Sequence, residues 1–334
     1  LVKRTHEHGL KVIIDFVPNH VARDYGRNGL VEGHSVLGRE DDRNIHWSPD
    51  NDFFYYPGQA LKLPVQCPED LEPYMEIPAM ATGNNCYNAS PGINDWYETV
   101  KINYGDSHTG TWDRMLDILL FWASKGVDGF RCDVASLIPL DFWKQARAAV
   151  EEVRAGAFWL AESVETGFIQ RIRGNGEYCL SDSELYQAFD ACYDYDIYRE
   201  LAQYLSGKGP LSRYLDRLNL QECIYPENYV KLHFTENHDR IRTAALVPDL
   251  RNRRHLLAFT MFQKGISFLY NGQERSAAAF ANIFEKEPID WTGPDLSDVI
   301  VKMKKIKESE IFAAGTFFAD EVRDGVVRAV YTHG

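Results

Sequence analysis

An α/β barrel is the fold class that this sequence predicts, and three observations lead to it. Short β-rich runs alternate with longer helical patterns, which implies parallel strands joined by crossover helices. The alternation breaks from about residue 21 to 106, where the chain is dense in Pro, Gly, Asn and aromatic residues without sustained periodicity. That stretch is too long for a simple connection and reads as an inserted subdomain. Five of the six predicted strands run into an acidic residue near their C-terminal ends: Asp15, Asp133, Glu162, Glu236 with Asp239, and Glu274. An open doubly wound sheet would spread these ends along a wide edge, whereas a barrel gathers them on one face.

The elements follow in order. Residues 1–9 (LVKRTHEHG) read as the end of an amphipathic helix, with Gly9 suited to its C-cap. Residues 11–17 (KVIIDFV) form the first strand. After the insertion, residues 112–125 have helical spacing, Gly126 stops them, and 127–132 are a strand. The pattern continues with a helix at 140–154, a strand at 157–161, a weaker strand at 185–193 and a helix at 197–205. Then come a strand at 229–235, a helix at 252–262, a strand at 266–270 and a helix at 296–307. Residues 316–332 alternate like antiparallel β and are expected to open a further domain.

Composition narrows the partners. The net charge of −13 would repel a polyanion, so nucleic acid and acidic membrane surfaces are poor candidates as partners, while a neutral substrate is compatible. No apolar run approaches the roughly 18 residues of a spanning helix. Six cysteines without short spacings make neither a disulfide scaffold nor a zinc motif. Cys132 and Cys192 read as buried small residues. Cys67 and Cys86 share a loop-rich region, where a bridge and two thiols are both open readings. The compartment stays undetermined.

Clustered carboxylates serve either metal binding or glycoside chemistry. Metal sites want several closely spaced histidines, but His20 and His238 each stand alone beside an Asn. That favours a sugar. Glycosidases need two carboxyl groups, one ionised nucleophile and one protonated acid. Arg131, two residues before Asp133, shares its strand face and would keep it ionised. Glu162 follows FWLA, an apolar setting expected to raise its pKa and suit a general acid. In the run Asn237-His238-Asp239, a donor and a carboxylate stand together to grip sugar hydroxyls. The aromatics Trp47, Tyr55, Tyr56, Trp96 and Tyr104 of the insertion are expected mainly to pack its irregular core, with one or two serving as sugar platforms.

Four segments resemble the signature regions of the α-amylase family, glycoside hydrolase family thirteen. They are DFVPNH (15–20), GFRCDVA (129–135), AES (161–163) and FTENHD (234–239), in the family's order, with NGQE (271–274) at the usual end of the last strand. The resemblance implies a TIM-type (β/α)8 barrel of which strands three to eight are visible. The barrel would comprise residues 1–20 and 106–310, domain B residues 21–105, and the start of a C-terminal β-sandwich residues 311–334. The first two strands, and about 60–120 further residues, are then expected ahead of Leu1.

Position by position, the resemblance makes Asp133 the nucleophile, Glu162 the acid/base and Asp239 the transition-state stabiliser. Arg131 would orient the nucleophile, His20 and His238 would bind sugar, and Asp15 would support His20. The implied activity is retaining hydrolysis of α-1,4-glucosidic bonds in starch-like α-glucans or maltooligosaccharides through a covalent glycosyl-enzyme. Transglycosylation or isomerisation of α-glucosides is the alternative, and a non-catalytic glucan-binding homologue a more distant one. The chemistry requires no cofactor. The resemblance implies Asn19 as a calcium ligand, but Ser136 and Leu137 replace a frequent Lys-His pair, and Gly92 stands where a calcium-binding Asp is usual. Any calcium site is therefore expected to be weak or absent.

Overall fold

The computed structural model describes residues 1–25, 36–67, 72–105, 109–280, 282 and 286–333. The chain divides into two compact units. Leu1–Glu162, Ile172–Leu180 and Gln187–Phe189 make up the first, and Ser163–Arg171, Ser181–Tyr186 and Asp190–Gly334 the second.

In the first unit the helix Val2–Glu7 ends at His8, and Gly9 follows with φ +69°, as expected of a C-cap glycine. Strand β1 (Ile13–Phe16) comes next. Four short strands then replace the βα alternation: β2 (His20–Ala22), β3 (Tyr55–Tyr56), β4 (Ala79–Met80) and β5 (Thr99–Lys101). They form two antiparallel pairs, β2 with β5 and β3 with β4. Strands of two or three residues offer no repeat to read, which is why this stretch showed no periodicity.

Alternation resumes with the helix Gly110–Ser124, β6 (Gly129–Cys132), the helix Leu140–Val153 and β7 (Phe158–Ala161). Strands β1, β6 and β7 are parallel neighbours, with Asp15 opposite Arg131 and Cys132 opposite Ala161. Gly129 permits the close approach, since a Cβ there would lie 2.1 Å from the Phe158 carbonyl oxygen. The helix Leu140–Val153 buries Phe142, Trp143, Ala146 and Val150, the 3–4 spacing of one helical face. Trp143 meets Phe16 and Phe189 edge-on at 6.3 and 4.9 Å between ring centroids. Each large side chain buried here contributes about 1.5–3 kcal/mol.

The second unit carries β8 (Ala191–Tyr193), β9 (Lys231–His233) and β10 (Gly265–Ser267), again parallel. Its helices are Tyr195–Leu205, Leu211–Ile224, Leu250–Phe262 and Ser297–Lys307, besides shorter turns. The strand expected at 185–193 shrinks to its last three residues, because Ser181 and Glu184 form a capping box that starts the short helix Asp182–Leu185. The tail is the predicted antiparallel pair, β11 (Thr316–Arg323) and β12 (Val326–Thr332). Asn219 anchors β11 by bonding both the N–H and the carbonyl of Ala319.

Among the described residues no helix is long and apolar enough to cross a membrane. Cys67 and Cys86 are not disulfide-bonded.

Candidate active site

The ends of β1, β6 and β7 carry the candidates of the first unit. Asp15 and Arg131 are register partners, and Arg131 and Asp133 lie two apart on one chain. All three therefore meet. Arg131 Nη1 donates to Asp15 Oδ1 at 2.9 Å and to Asp133 Oδ1 at 2.6 Å. Its Nη2 lies 2.9 Å from Glu162 Oε1, so one guanidinium serves three carboxylates. The planar fork of arginine, with five donors and a permanent charge, is suited to this.

The backbone positions the carboxylates further. The N–H of Asp133 donates to the Phe16 carbonyl, and that of Glu162 to the Cys132 carbonyl. Val134 adopts φ +42°, ψ +43°, a left-handed conformation that is strained for a β-branched residue. There its N–H donates to Glu162 Oε2 at 2.9 Å. The apolar run FWLA lies behind Glu162, as read from the sequence, while a guanidinium and an N–H face its two oxygens.

His20 sits on β2 against Trp96, with ring centroids 5.4 Å apart. Gly83 makes room for it, because a Cβ there would come within 2.8 Å of the His20 Cβ and 2.7 Å of Thr99 Oγ1. Burial pushes the His20 imidazole below its ordinary pKa; Asp133 and Asp15 oppose this, and the charge of Lys101 adds to it. Trp96 thus packs beside a candidate site residue, while Tyr55 and Tyr104 are core side chains.

Asn19 is fully buried, and its surroundings do not suit a divalent cation. Its Oδ1 accepts a hydrogen bond from the Lys101 ammonium, and its Nδ2 donates to the Gly83 carbonyl at 2.8 Å. The oxygen that such a cation would need is already taken by the Lys101 amine. Among the described residues no group of three or more His, Cys, Asp and Glu side chains could hold a metal. Burial drives the Lys101 amine down to about 7, with Glu177 opposing. Neither Lys101 nor Gly83 was singled out from sequence, where each is one unremarked residue in an aperiodic stretch.

The second unit carries the remaining candidates after β9. Asp239 and His238 are both partly exposed, with His238 Nε2 3.3 Å from Asp239 Oδ2. Asn237 is buried and shapes the turn: its Oδ1 accepts from the Asp239 N–H at 2.9 Å, and its Nδ2 donates to the Tyr195 hydroxyl at 2.8 Å. Arg240 lies 4.8 Å from the ring centroids of both Tyr195 and Tyr198 and pairs with Glu165 at 2.7 Å. Two strand-end acids take local roles instead. Glu236 is buried, paired with Arg242 at 2.9 Å and accepting the Thr243 N–H, and Glu274 accepts the Gly272 N–H.

The family model described as the alpha amylase catalytic domain matches residues 1–324. The chain belongs to the α-amylase family. Its fold is accordingly the family's (β/α) barrel, with three parallel strands carried by each unit. An α-amylase from Lactobacillus plantarum, at 33% identity and TM-score 0.77, covers all of this chain, which spans 67% of that structure. A maltogenic α-amylase from Thermotoga neapolitana is 26% identical with TM-score 0.70, over 100% of this chain and 64% of that one. Among curated relatives, α-amylase 2 of Dictyoglomus thermophilum is 22% identical over 95% of this chain and 50% of its own length. A cyclomaltodextrinase of Geobacillus thermopakistaniensis is 25% identical over 82% of this chain and 40% of its own. The chain therefore spans about half, or less, of the length of these curated relatives.

Proposed function

We propose that this chain is the catalytic portion of a retaining glycoside hydrolase acting on α-1,4-glucosidic bonds of starch-like glucans or maltooligosaccharides. The observation that carries the reading is the Arg131 guanidinium joined to Asp15, Asp133 and Glu162 at the ends of neighbouring parallel strands. Arg131 Nη1 donates to Asp133 Oδ1 and fixes its direction, as a nucleophile requires. In the first step an Asp133 oxygen attacks the anomeric carbon while Glu162 passes a proton to the glycosidic oxygen. The glycosidic bond breaks and a glycosyl ester forms on Asp133. Glu162, now a carboxylate, then takes a proton from water, whose oxygen displaces Asp133. Two inversions leave the anomer unchanged.

Glu162 must carry a proton to begin this cycle, and in this structure its oxygens face Arg131 and the Val134 N–H. Substrate entry is therefore expected to loosen the Arg131–Glu162 pair. Asp239, His238 and His20 are assigned to the sugar hydroxyls, where hydrogen bonds strengthen as the oxocarbenium-like state develops. No cofactor enters these steps.

Transfer to a sugar acceptor is the second reading. It is favoured by relatives such as the cyclomaltodextrin glucanotransferase of Bacillus sp. strain 1011, 22% identical over 82% of this chain. Incubation with a maltooligosaccharide series, with products followed over time, separates the two. Hydrolysis yields only shorter sugars, transfer also yields longer or cyclic ones, and no turnover refutes both. Proton NMR of the first product is expected to show the α-anomer; an initial β-anomer would exclude the covalent route.

A further inference from the structure

We propose that the Lys101 amine takes the place of a bound metal ion beside Asn19 and, through the Asn19 amide, sets the tautomer of His20. The assignment deepens the glycosidase reading, on which its activity arm rests.

The strand pair β2–β5 places Lys101 opposite His20. The Lys101 side chain is buried, and its Nζ donates to Asn19 Oδ1. An amine on carbon carries donors and, when protonated, no acceptor. Its partner on the amide is the oxygen, so Lys101 decides which way round the Asn19 amide stands. The carbonyl of Asn19 is held separately, by the Ile102 N–H at 3.0 Å.

With Oδ1 facing Lys101, Nδ2 has two hydrogens to place. One goes to the Gly83 carbonyl at 2.8 Å; the other faces His20 Nδ1 at 3.2 Å. A neutral imidazole receiving a hydrogen bond at Nδ1 carries its proton on Nε2. That nitrogen is then a donor, as recognition of a sugar oxygen needs. Lys101 touches no substrate in this scheme and is a positioning residue. The same contact gives the oxygen of an asparagine that matches a calcium ligand an amine as its partner instead.

The test combines nitrogen NMR, melting and kinetics. With histidine labelled by nitrogen-15, and the His20 signals identified by their loss in His20→Gln, wild type is expected to show an Nε2–H imidazole. Lys101→Met should mix the tautomers and lower kcat/KM on a maltooligosaccharide roughly ten- to hundredfold, the scale of a misplaced site group. Asn19→Asp keeps an acceptor for Lys101 but has no hydrogen for Nδ1. It also gives up the bond to the Gly83 carbonyl and should melt lower, yet the folded variant should lose the wild-type tautomer, and it decides the matter if Lys101→Met does not fold. The wild-type melting temperature should be the same with calcium chloride and with chelator.

An Nδ1–H imidazole in wild type would overturn the proposal. So would unchanged tautomer and kinetics in either folded variant, or a fall of about ten degrees on chelation, the size of a substantial ligand contribution. A wild type without glycosidase activity would sink the functional reading alone, because the NMR and melting arms still judge Lys101.

Discussion

Two buried cations ringed by carboxylates, Arg131 in the first unit and Lys231 in the second, show how similar charges become a site in one place and a brace in another. Arg131 faces Asp15, Asp133 and Glu162, whose side chains keep 55, 17 and 10% of their exposure. Lys231 is fully enclosed and faces Asp182 and Asp196, at 2 and 13%. The Lys231 ammonium lies 4.5 Å from the Tyr225 ring centroid, and the Tyr225 hydroxyl donates to Asp196 at 2.7 Å. Gln221 reaches both Asp194 and Asp196. Burial pushes the Asp182 carboxyl up to about 6 although Lys231 opposes it, while Lys231 itself is held well above its usual range by the two aspartates despite burial.

The difference lies in what surrounds the charges. Around Lys231, Tyr225 and Gln221 bond to Asp196, and the Tyr193 carbonyl accepts from the ammonium itself. Around Arg131, the strand ends leave Asp133 and Asp15 within reach of solvent and hence of a ligand. A charge cluster can do chemistry only where an oxygen remains accessible.

Asp133→Asn should produce the largest effect. Turnover is expected to fall by at least about a thousandfold, more than ~4 kcal/mol of barrier, with an unchanged melting curve. Retention of most activity would break the comparison at its catalytic end. Glu162→Gln should lose as much on natural substrates and regain much of it on a substrate whose leaving group needs no proton, read as a ratio of the two rates.

Lys231→Met should do the reverse. Two buried carboxylates lose their cation, at a cost of about 3–5 kcal/mol, measured by urea unfolding. Turnover per folded molecule should stay at the wild-type level. A variant of normal stability would show that the enclosed cluster is not a brace.

Gly83→Ala sharpens the comparison at the edge of the Arg131 cluster. The added Cβ would overlap His20 and Thr99. We expect kcat/KM to drop about tenfold, equivalent to ~1.4 kcal/mol, mostly through KM. Unaltered kinetics would detach His20 from substrate binding.

Asp128 is the intermediate case, with the smallest effect. Its carboxylate accepts from the Val12 N–H, His6 and Arg154, each at 2.7 Å. Burial alone would raise this carboxyl, but these three partners outweigh it and hold it down at about 2. Stabilisation from a depressed carboxyl is present above its ordinary pKa and lost as pH falls toward the folded value. Asp128→Asn should therefore cost less than about 1 kcal/mol at neutral pH, and the difference from wild type should close near pH 2. A gap that persisted there would point to packing instead of charge.

Much of this was legible in the chain. Helical spacing located Gly110–Ser124, Leu140–Val153 and Leu250–Phe262 to within two residues. The helix Leu211–Ile224 was missed although its signal was present: Leu211, Tyr214, Leu215 and Leu218 have 3–4 spacing and are all buried. Period-two geometry sufficed to put Arg131 and Asp133 on one face. Such features depend on neighbours in sequence.

Other features depend on partners far along the chain, and only the tertiary structure decided them. Glu162 looked apolar because FWLA precedes it, yet its electrostatics come from Arg131, thirty-one residues earlier, across the sheet. Glu236 shared the strand-end pattern of Asp133, but Arg242 closed over it. Asn19 matched a metal ligand until Lys101, eighty-two residues on, supplied the ammonium its oxygen accepts. Local sequence determined which residues would be strand ends, helix faces and caps, since those follow from backbone geometry over a few residues. It could not determine which charge each carboxylate would meet, because that is set by which strands come to lie side by side.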